Sequence, residues 1–466
     1  MTADELCTAS LTDVAALLAR GDVSPVELTR AMLARIEQLD GTLHSYLTVT
    51  AERALAAAQA AEAAVARGER LGLLHGVPIG VKDLCATRGV RTTCASGVLA
   101  ENIPDYDATV VRRLEGAGAV LLGKLNLTEF ALMGCHPTLQ RPRNPWDPRY
   151  DTGGSSSGSG AAVAAGLCFG AIGTDTGGSI RMPSSWCGVV GLKPTYGRVS
   201  RAGVFPLGAS LDHVGAMTRR VADAALMLDV MAGFDADDPT TVRGPAPQCS
   251  AAIGRDIRGV RIGWDARFVA DGAQPDVVDT VEHAVGALAA QGAEVVQVTL
   301  PPVEHVLPAW PILCAAEAAA AHAATFPSRA ADYGPTFRSF LEYAGTLRAQ
   351  DYAVWHEVRM VWAGRLRGVF ETIDVLACPS TFMSAPPADL IDPFGPFTPD
   401  IVPFMRFTAP FNFSGSPTLS VPCGFTAGGL PHSLQLVGRH GEEALLCQVG
   451  HVYEQATEWH RRRPAL

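Results

Sequence analysis

The sequence predicts an α/β protein organised as one large domain. Three observations lead there. Short apolar, strand-like runs alternate with helical stretches along most of the chain. The 466 residues are 48% hydrophobic and 18% charged, ordinary globular usage with enough apolar content for a sizeable core. No internal repeat or long linker divides them.

Ser24-Pro25-Val26-Glu27 combines an N-cap serine, a proline at the first helical position and a glutamate at the third. Leu28, Met32 and Ile36 follow at helical spacing, so a helix is expected to about Leu39. An alanine-rich helix follows Thr50 and stops at Gly68. Residues 1–70 are therefore expected to form a helical layer. Gly76 to Val81 reads as a short buried strand and Ala119 to Leu122 as another. A Gly/Ser loop is expected at 153–160, then apolar runs or helices at Ala161–Ala165, Val260–Gly263, Asp276–Gln291, Glu294–Leu300 and Asp374–Cys378. Gly244-Pro245-Ala246-Pro247 and the proline-rich stretch from Pro386 to Pro410 read as loops.

Composition narrows the function. Lys and Arg total 37 against 47 Asp and Glu, a formal charge of −10, the wrong sign for affinity built on phosphate contacts. Nucleic acid is therefore not expected as a direct ligand. The start of the chain carries Asp4 and Glu5 and lacks the basic and apolar regions of an export signal. The uncharged run from Thr152 to Thr174 opens in Thr, Gly and Ser, and that from Phe407 to Gly438 is broken by four prolines, so no membrane span is expected. Eleven cysteines are dispersed without a C-x-x-C pair, which reads as reduced thiols in a cytoplasm.

Several motifs point to competing chemistries. Gly118 to Leu125 nearly fits a phosphate-binding loop, but Leu125 stands where a hydroxyl is required and the intervening residues are an apolar strand. None of the twelve histidines sits at zinc-binding spacing. The informative stretch is Gly153 to Pro183. A flexible linker would not pass straight into the apolar run Ala161 to Leu167. Gly154-Ser155-Ser156-Ser157-Gly158 satisfies the nucleophile-elbow pattern with Ser156 as nucleophile, yet that elbow needs a preceding strand, and Pro142, Pro145 and Pro148 occupy its place. What remains is two glycine-rich turns that both deliver serines. Glycine allows close backbone approach, and consecutive N–H groups at such a turn can stabilise an oxyanion. A serine nucleophile also needs a base. Lys82, just after an apolar strand, is the candidate.

The stretch from Gly153 to Ser184 resembles the amidase signature family position by position, fixing two serines 24 residues apart. Gly76 to Asp83, Gly123 to Asn126, Gly191 to Arg198, Ser416 to Pro422 and Leu434 to Gly438 extend the similarity over about 10–460. The resemblance implies a mixed central β-sheet flanked by helices, with 71–230 as catalytic core and 231–466 supplying the rest of the sheet and the substrate-pocket loops. It implies Ser179 as nucleophile, Ser155 as bridging serine on a cis peptide, Lys82 as general base, and an oxyanion hole from the N–H groups of Thr176, Gly177, Gly178 and Ser179. A lysine base must be neutral, so Lys82 should be desolvated. No metal or organic cofactor is implied.

After Gly134 the chain reads Cys135-His136-Pro137-Thr138, where the A-type subunits of tRNA-linked amidotransferases carry Ser, Thr, Glu and Asn. The expected protein is thus a stand-alone cytoplasmic amidase acting on a small amide, with a homodimer as candidate assembly; the alternative is an A-type subunit of a tRNA-dependent amidotransferase complex. Phe394, Phe397, Phe404, Phe407, Phe411 and Phe413 crowd one segment, with Trp355 and Trp362 on a helix before it. Phe411 and Phe413 are expected in the core and the others as candidates for an apolar pocket wall. Arg406 is the one cation there. Neutral aryl or alkyl amides are the expected substrates, with esters and carbamates as further possibilities.

Overall fold

In the computed structural model, which describes residues 2–69, 72–390, 395–398 and 404–466, the apolar runs form eleven strands. They are β1 (Tyr46–Val49), β2 (Pro78–Lys82), β3 (Val120–Leu125), β4 (Gly170–Asp175), β5 (Val190–Lys193), β6 (His213–Thr218), β7 (Arg261–Trp264), β8 (Glu294–Gln297), β9 (Val375–Pro379), β10 (Thr418–Phe425) and β11 (Pro431–Gly438). All join one sheet in the order β1-β3-β2-β4-β6-β5-β10-β11-β9-β7-β8. β2 runs parallel to β3 and β4, β7 runs parallel to β8 and β9, and the strands between are antiparallel. The sheet is therefore mixed, as the resemblance implied. Every residue of β2, β3, β4 and β6 is buried, so both faces of this part of the sheet are covered.

The first predicted helix spans Pro25–Leu43. Its start is fixed by a reciprocal cap: the Glu27 N–H donates to Ser24 Oγ at 3.1 Å and the Ser24 N–H donates to Glu27 Oε2 at 3.2 Å. The second spans Ala51–Ala66 and buries Ala54, Ala58 and Ala61 along one face. Between them the expectation of a purely helical layer fails. Tyr46–Val49 is an edge strand, antiparallel to β3 with Tyr46 opposite Leu125.

The Gly/Ser stretch differs from its expected form in an informative way. The helix begins within it, at Ser157, and runs through the apolar residues to Ala165. Gly158 serves close packing rather than flexibility, because a Cβ there would stand 2.4 Å from the Ser45 carbonyl and 2.6 Å from the Asn126 N–H nitrogen. The serines are buried too, and Ser159 Oγ donates to the Ile172 carbonyl at 2.9 Å. The run expected over Glu294–Leu300 is strand only to Gln297; beyond it the Leu300 N–H turns to Asp265 at 2.7 Å.

Among the described residues no helix is long and apolar enough to cross a membrane. All eleven cysteines are buried as free thiols.

Candidate active site

Lys82 ends β2 and Thr174 lies near the end of its parallel neighbour β4. The serine-rich turn before Ser157 crosses this end of the sheet, where open α/β sheets place their ligands. Lys82 is fully buried, and its Nζ donates to Ser155 Oγ and Ser156 Oγ, both at 2.9 Å, and to Thr174 Oγ1 at 2.7 Å. These three partners are all neutral hydroxyls. Burial lowers its pKa to about 7, with Cys85, Asp175, Asp212 and Cys94 opposing only in part. A lysine so placed is substantially neutral near pH 7, and a neutral amine can accept a proton from a hydroxyl at this distance. The Gly154–Ser155 peptide is cis, matching what the resemblance implied.

Ser156, the elbow candidate, is fully buried. Its hydroxyl donates to the Thr174 carbonyl at 3.2 Å and accepts from Lys82 and from the Thr174 N–H. It does not line the cavity described below, so the elbow reading is set aside. Lys124, from the phosphate-loop near-match, lies buried in β3 and donates to the Cys85 carbonyl at 2.7 Å and Thr92 Oγ1 at 2.6 Å.

The second turn hangs from one carboxylate. Asp175 accepts the Gly178 N–H at 2.9 Å, the Ile180 N–H at 3.0 Å, Asn412 Nδ2 at 2.8 Å and both Arg181 Nε at 3.0 Å and Nη2 at 2.8 Å. Arg181 and Asp175 are both fully buried. Burial opposes ionisation of Asp175, but Arg181, Lys193 and Asn412 outweigh it and hold the carboxyl well below its usual range. This network fixes the turn that presents Ser179, the one partly exposed residue in the segment 171–180. It also engages one of the four N–H groups expected in the oxyanion hole. The Gly178 N–H is committed to Asp175, whereas those of Thr176, Gly177 and Ser179 donate to no acceptor among the described residues.

Ser155, Ser179, Gly177 and Gly178 line one open cavity. Its apolar wall comes from Trp186, Trp310, Phe404 and methionines 133, 182 and 405. Of the clustered phenylalanines only Phe404 reaches it among the described residues. Phe411 and Phe413 are in the core as expected, but Phe397 and Phe407 are buried as well, packed on Phe340 at 4.7 Å and on Phe268 at 4.9 Å. Phe394 lies outside the described residues. Trp355 and Trp362 are on the helix Ala349–Val369, away from the cavity lining, and Trp362 donates to the Pro301 carbonyl at 3.2 Å. Arg406 pairs with Glu304 and does not line the cavity.

A family model described as Amidase matches residues 27–447. The chain belongs to the amidase signature family. AmiD of Mycobacterium tuberculosis, classed by name with the amidases, is 45% identical over 465 residues, covering 99% of this chain and 97% of AmiD. The A-type subunit of glutamyl-tRNA(Gln) amidotransferase from Roseiflexus sp. is 43% identical over 486 residues, covering 98% of each chain. The crystal structure of a bacterial aryl acylamidase of the amidase signature family superposes with a TM-score of 0.88 at 26% identity, covering 97% of each chain. This amidase is accordingly a hydrolase of C–N bonds. What sequence reasoning missed in it is the support behind the serines: Thr174, Asp175, Arg181 and Asn412. The only local signal was an acid and an arginine flanking the Thr176 to Ile180 turn.

Proposed function

We propose that this amidase hydrolyses neutral aryl or alkyl carboxamides through an acyl-Ser179 intermediate. Ser179 Oγ attacks the carbonyl carbon while its proton passes by way of Ser155 to Lys82. The oxyanion takes N–H groups of Thr176, Gly177 and Ser179. As the tetrahedral intermediate collapses, the C–N bond breaks and the proton returns through Ser155 to the departing nitrogen. Water then attacks the acyl carbon by the same proton route, releasing the acid and restoring Ser179. The observation that carries this reading is a fully buried Lys82, with a pKa near 7, hydrogen-bonded to Ser155.

The choice of neutral substrates rests on the cavity. Among the described residues lining it the only charged side chains are Arg141 and Asp151, and they pair with each other. An acidic acyl group would have to compete with Asp151 for that cation. In a series of acyl anilides of growing chain length, kcat/KM should climb with the first added carbons, each buried methylene contributing about 0.8 kcal/mol. A flat series, or preference for dicarboxylic amides, would refute the apolar specificity and leave the amidase chemistry standing.

Lys82 also sets the pH dependence. It is active when neutral, so kcat/KM should be level above about pH 7 and fall roughly tenfold per unit below it. An acid limb positioned near pH 4 instead would contradict the assignment of the base.

A second reading, the A-type subunit of an amidotransferase complex, is favoured by the 43% identity to the Roseiflexus protein. It predicts co-purifying subunits from the native host and glutamine hydrolysis that depends on them. Full amide turnover by the isolated chain argues against it.

A further inference from the structure

Beside Ser155 the cavity wall stands on backbone that residues with a Cβ rarely adopt. Five non-glycine residues among those described have left-handed φ, and one of them, His44, merely ends a helix. The other four are Cys94 (52°), Ala95 (54°), Phe130 (46°) and Ala131 (63°). They form two turns joined to each other: the Phe130 N–H donates to the Cys94 carbonyl at 2.9 Å, and Ser96 Oγ donates to Glu129 Oε1 at 2.5 Å. Such turns persist only where surrounding contacts over-determine them.

Glu129 supplies those contacts. Besides Ser96 it takes the Gly334 N–H, 2.9 Å from Oε2 and 3.1 Å from Oε1. The approach is close enough that a Cβ on Gly334 would stand 2.4 Å from Oε2. The neighbouring Phe130 ring is held edge-on to His322 at 4.4 Å and against Phe337 at 5.1 Å. At their other side the turns reach the reacting groups. Thr93 donates to Asp83, next to Lys82, from its hydroxyl at 2.6 Å and its N–H at 2.8 Å, and the Thr128 N–H donates to the Ser155 carbonyl at 3.3 Å. Thr128, Ala131 and Leu132 line the cavity; Glu129 does not.

Glu129 is thus a buried carboxyl that no step of the reaction uses. Burial raises its pKa to about 7 against the hydrogen bonds from Ser96 and Gly334. A buried carboxyl held by neutral donors is a costly way merely to fill space.

We propose that Glu129 is a positioning residue: by clamping the Phe130–Ala131 turn between Ser96 and Gly334, it sets the shape of the substrate-binding wall. It acts on how a substrate's bulk is received, not on the nucleophile's reactivity. The inference rests on the reading of Ser179 as nucleophile, and its test separates the two. Fluorophosphonates react as Ser179 Oγ forms a bond to phosphorus and fluoride departs, with the hydroxyl proton going to the base. Labelling rates are measured by intact mass with a small alkyl probe and a bulky aryl probe. In Glu129→Ala the aryl probe should slow roughly tenfold or more while the alkyl probe stays within about threefold of wild type. Glu129→Gln keeps an acceptor for the Gly334 N–H and should restore the aryl rate to within about threefold. Parallel slowing of both probes, or no slowing of either, would overturn the proposal. If Glu129→Ala does not fold, Ser96→Ala removes the other half of the clamp and should show the same selective loss in smaller measure; a non-selective loss there overturns it equally. A wild-type protein labelled by neither probe would instead overturn the Ser179 reading, and this one with it.

Discussion

Ser179→Ala is expected to remove turnover by on the order of 10⁴-fold or more, since no other described hydroxyl on the cavity wall is placed to replace an acyl-forming nucleophile. Ser155 is the nearest alternative, but its oxygen is held by Lys82 at 2.9 Å, and in the proposed mechanism it relays a proton rather than attacking. Ser155→Ala and Lys82→Ala should each cost about 10²- to 10⁴-fold, the usual contribution of proton transfer. Because the three groups act as a unit, the losses should not add: Lys82→Ala on top of Ser179→Ala should lower the residual rate little further. Initial rates on an acyl anilide, with circular dichroism to confirm folding, decide the matter. Wild-type activity in a folded Ser179→Ala protein would remove the nucleophile assignment.

The largest effect on stability is expected at Arg181. Its guanidinium neutralises Asp175 and also donates to the Thr408 carbonyl at 2.8 Å, Asn412 Oδ1 at 2.6 Å and Gln435 Oε1 at 3.1 Å, with no exposure to water. Arg181→Met leaves the Asp175 carboxylate buried and unpaired, a change that typically costs about 3–5 kcal/mol. Removing both charges, in Arg181→Met with Asp175→Asn, should recover part of that loss because no charge is stranded. Activity should fall in both, since the turn bearing Ser179 hangs from this pair. Urea unfolding followed by fluorescence gives the comparison; a single variant as stable as wild type would show that the pair carries no weight.

How much could be read beforehand divides along a physical line. Two glycine-rich turns bearing serines and a lysine at the end of a buried strand were legible locally, but it took the resemblance to the amidase signature family to single out Ser155 and Ser179 among those serines. The strands β2, β3, β7 and β9 announced themselves as apolar runs. The hub behind the nucleophile did not, because Asn412 meets Asp175 across 237 residues of chain and nothing local marks either end. Gly158 misled for a related reason: its lack of a side chain answers to Ser45 and Asn126, brought near only by the fold. The clustered phenylalanines show the limit of composition. Phe404 and Phe407 stand three residues apart, one on the cavity wall and the other in the core. Hydrophobicity is the same on either side of that boundary.

The buried thiols have a chemical consequence of their own. A disulfide or sulfenic acid forms through the thiolate, and burial pushes Cys168 and Cys378 up to about 12 while hiding both from any reagent. Oxidation of these two thiols therefore waits on opening of the fold, so the rate at which they are lost keeps time with breathing of the surrounding structure. The cysteine count then says little about the redox character of the compartment, because packing shields thiols such as these whatever surrounds the protein. Cys135 differs from the others in its surroundings: it sits on the cavity wall, where an acyl chain in residence would stand between it and an oxidant. A working enzyme would in this sense be better protected than an idle one.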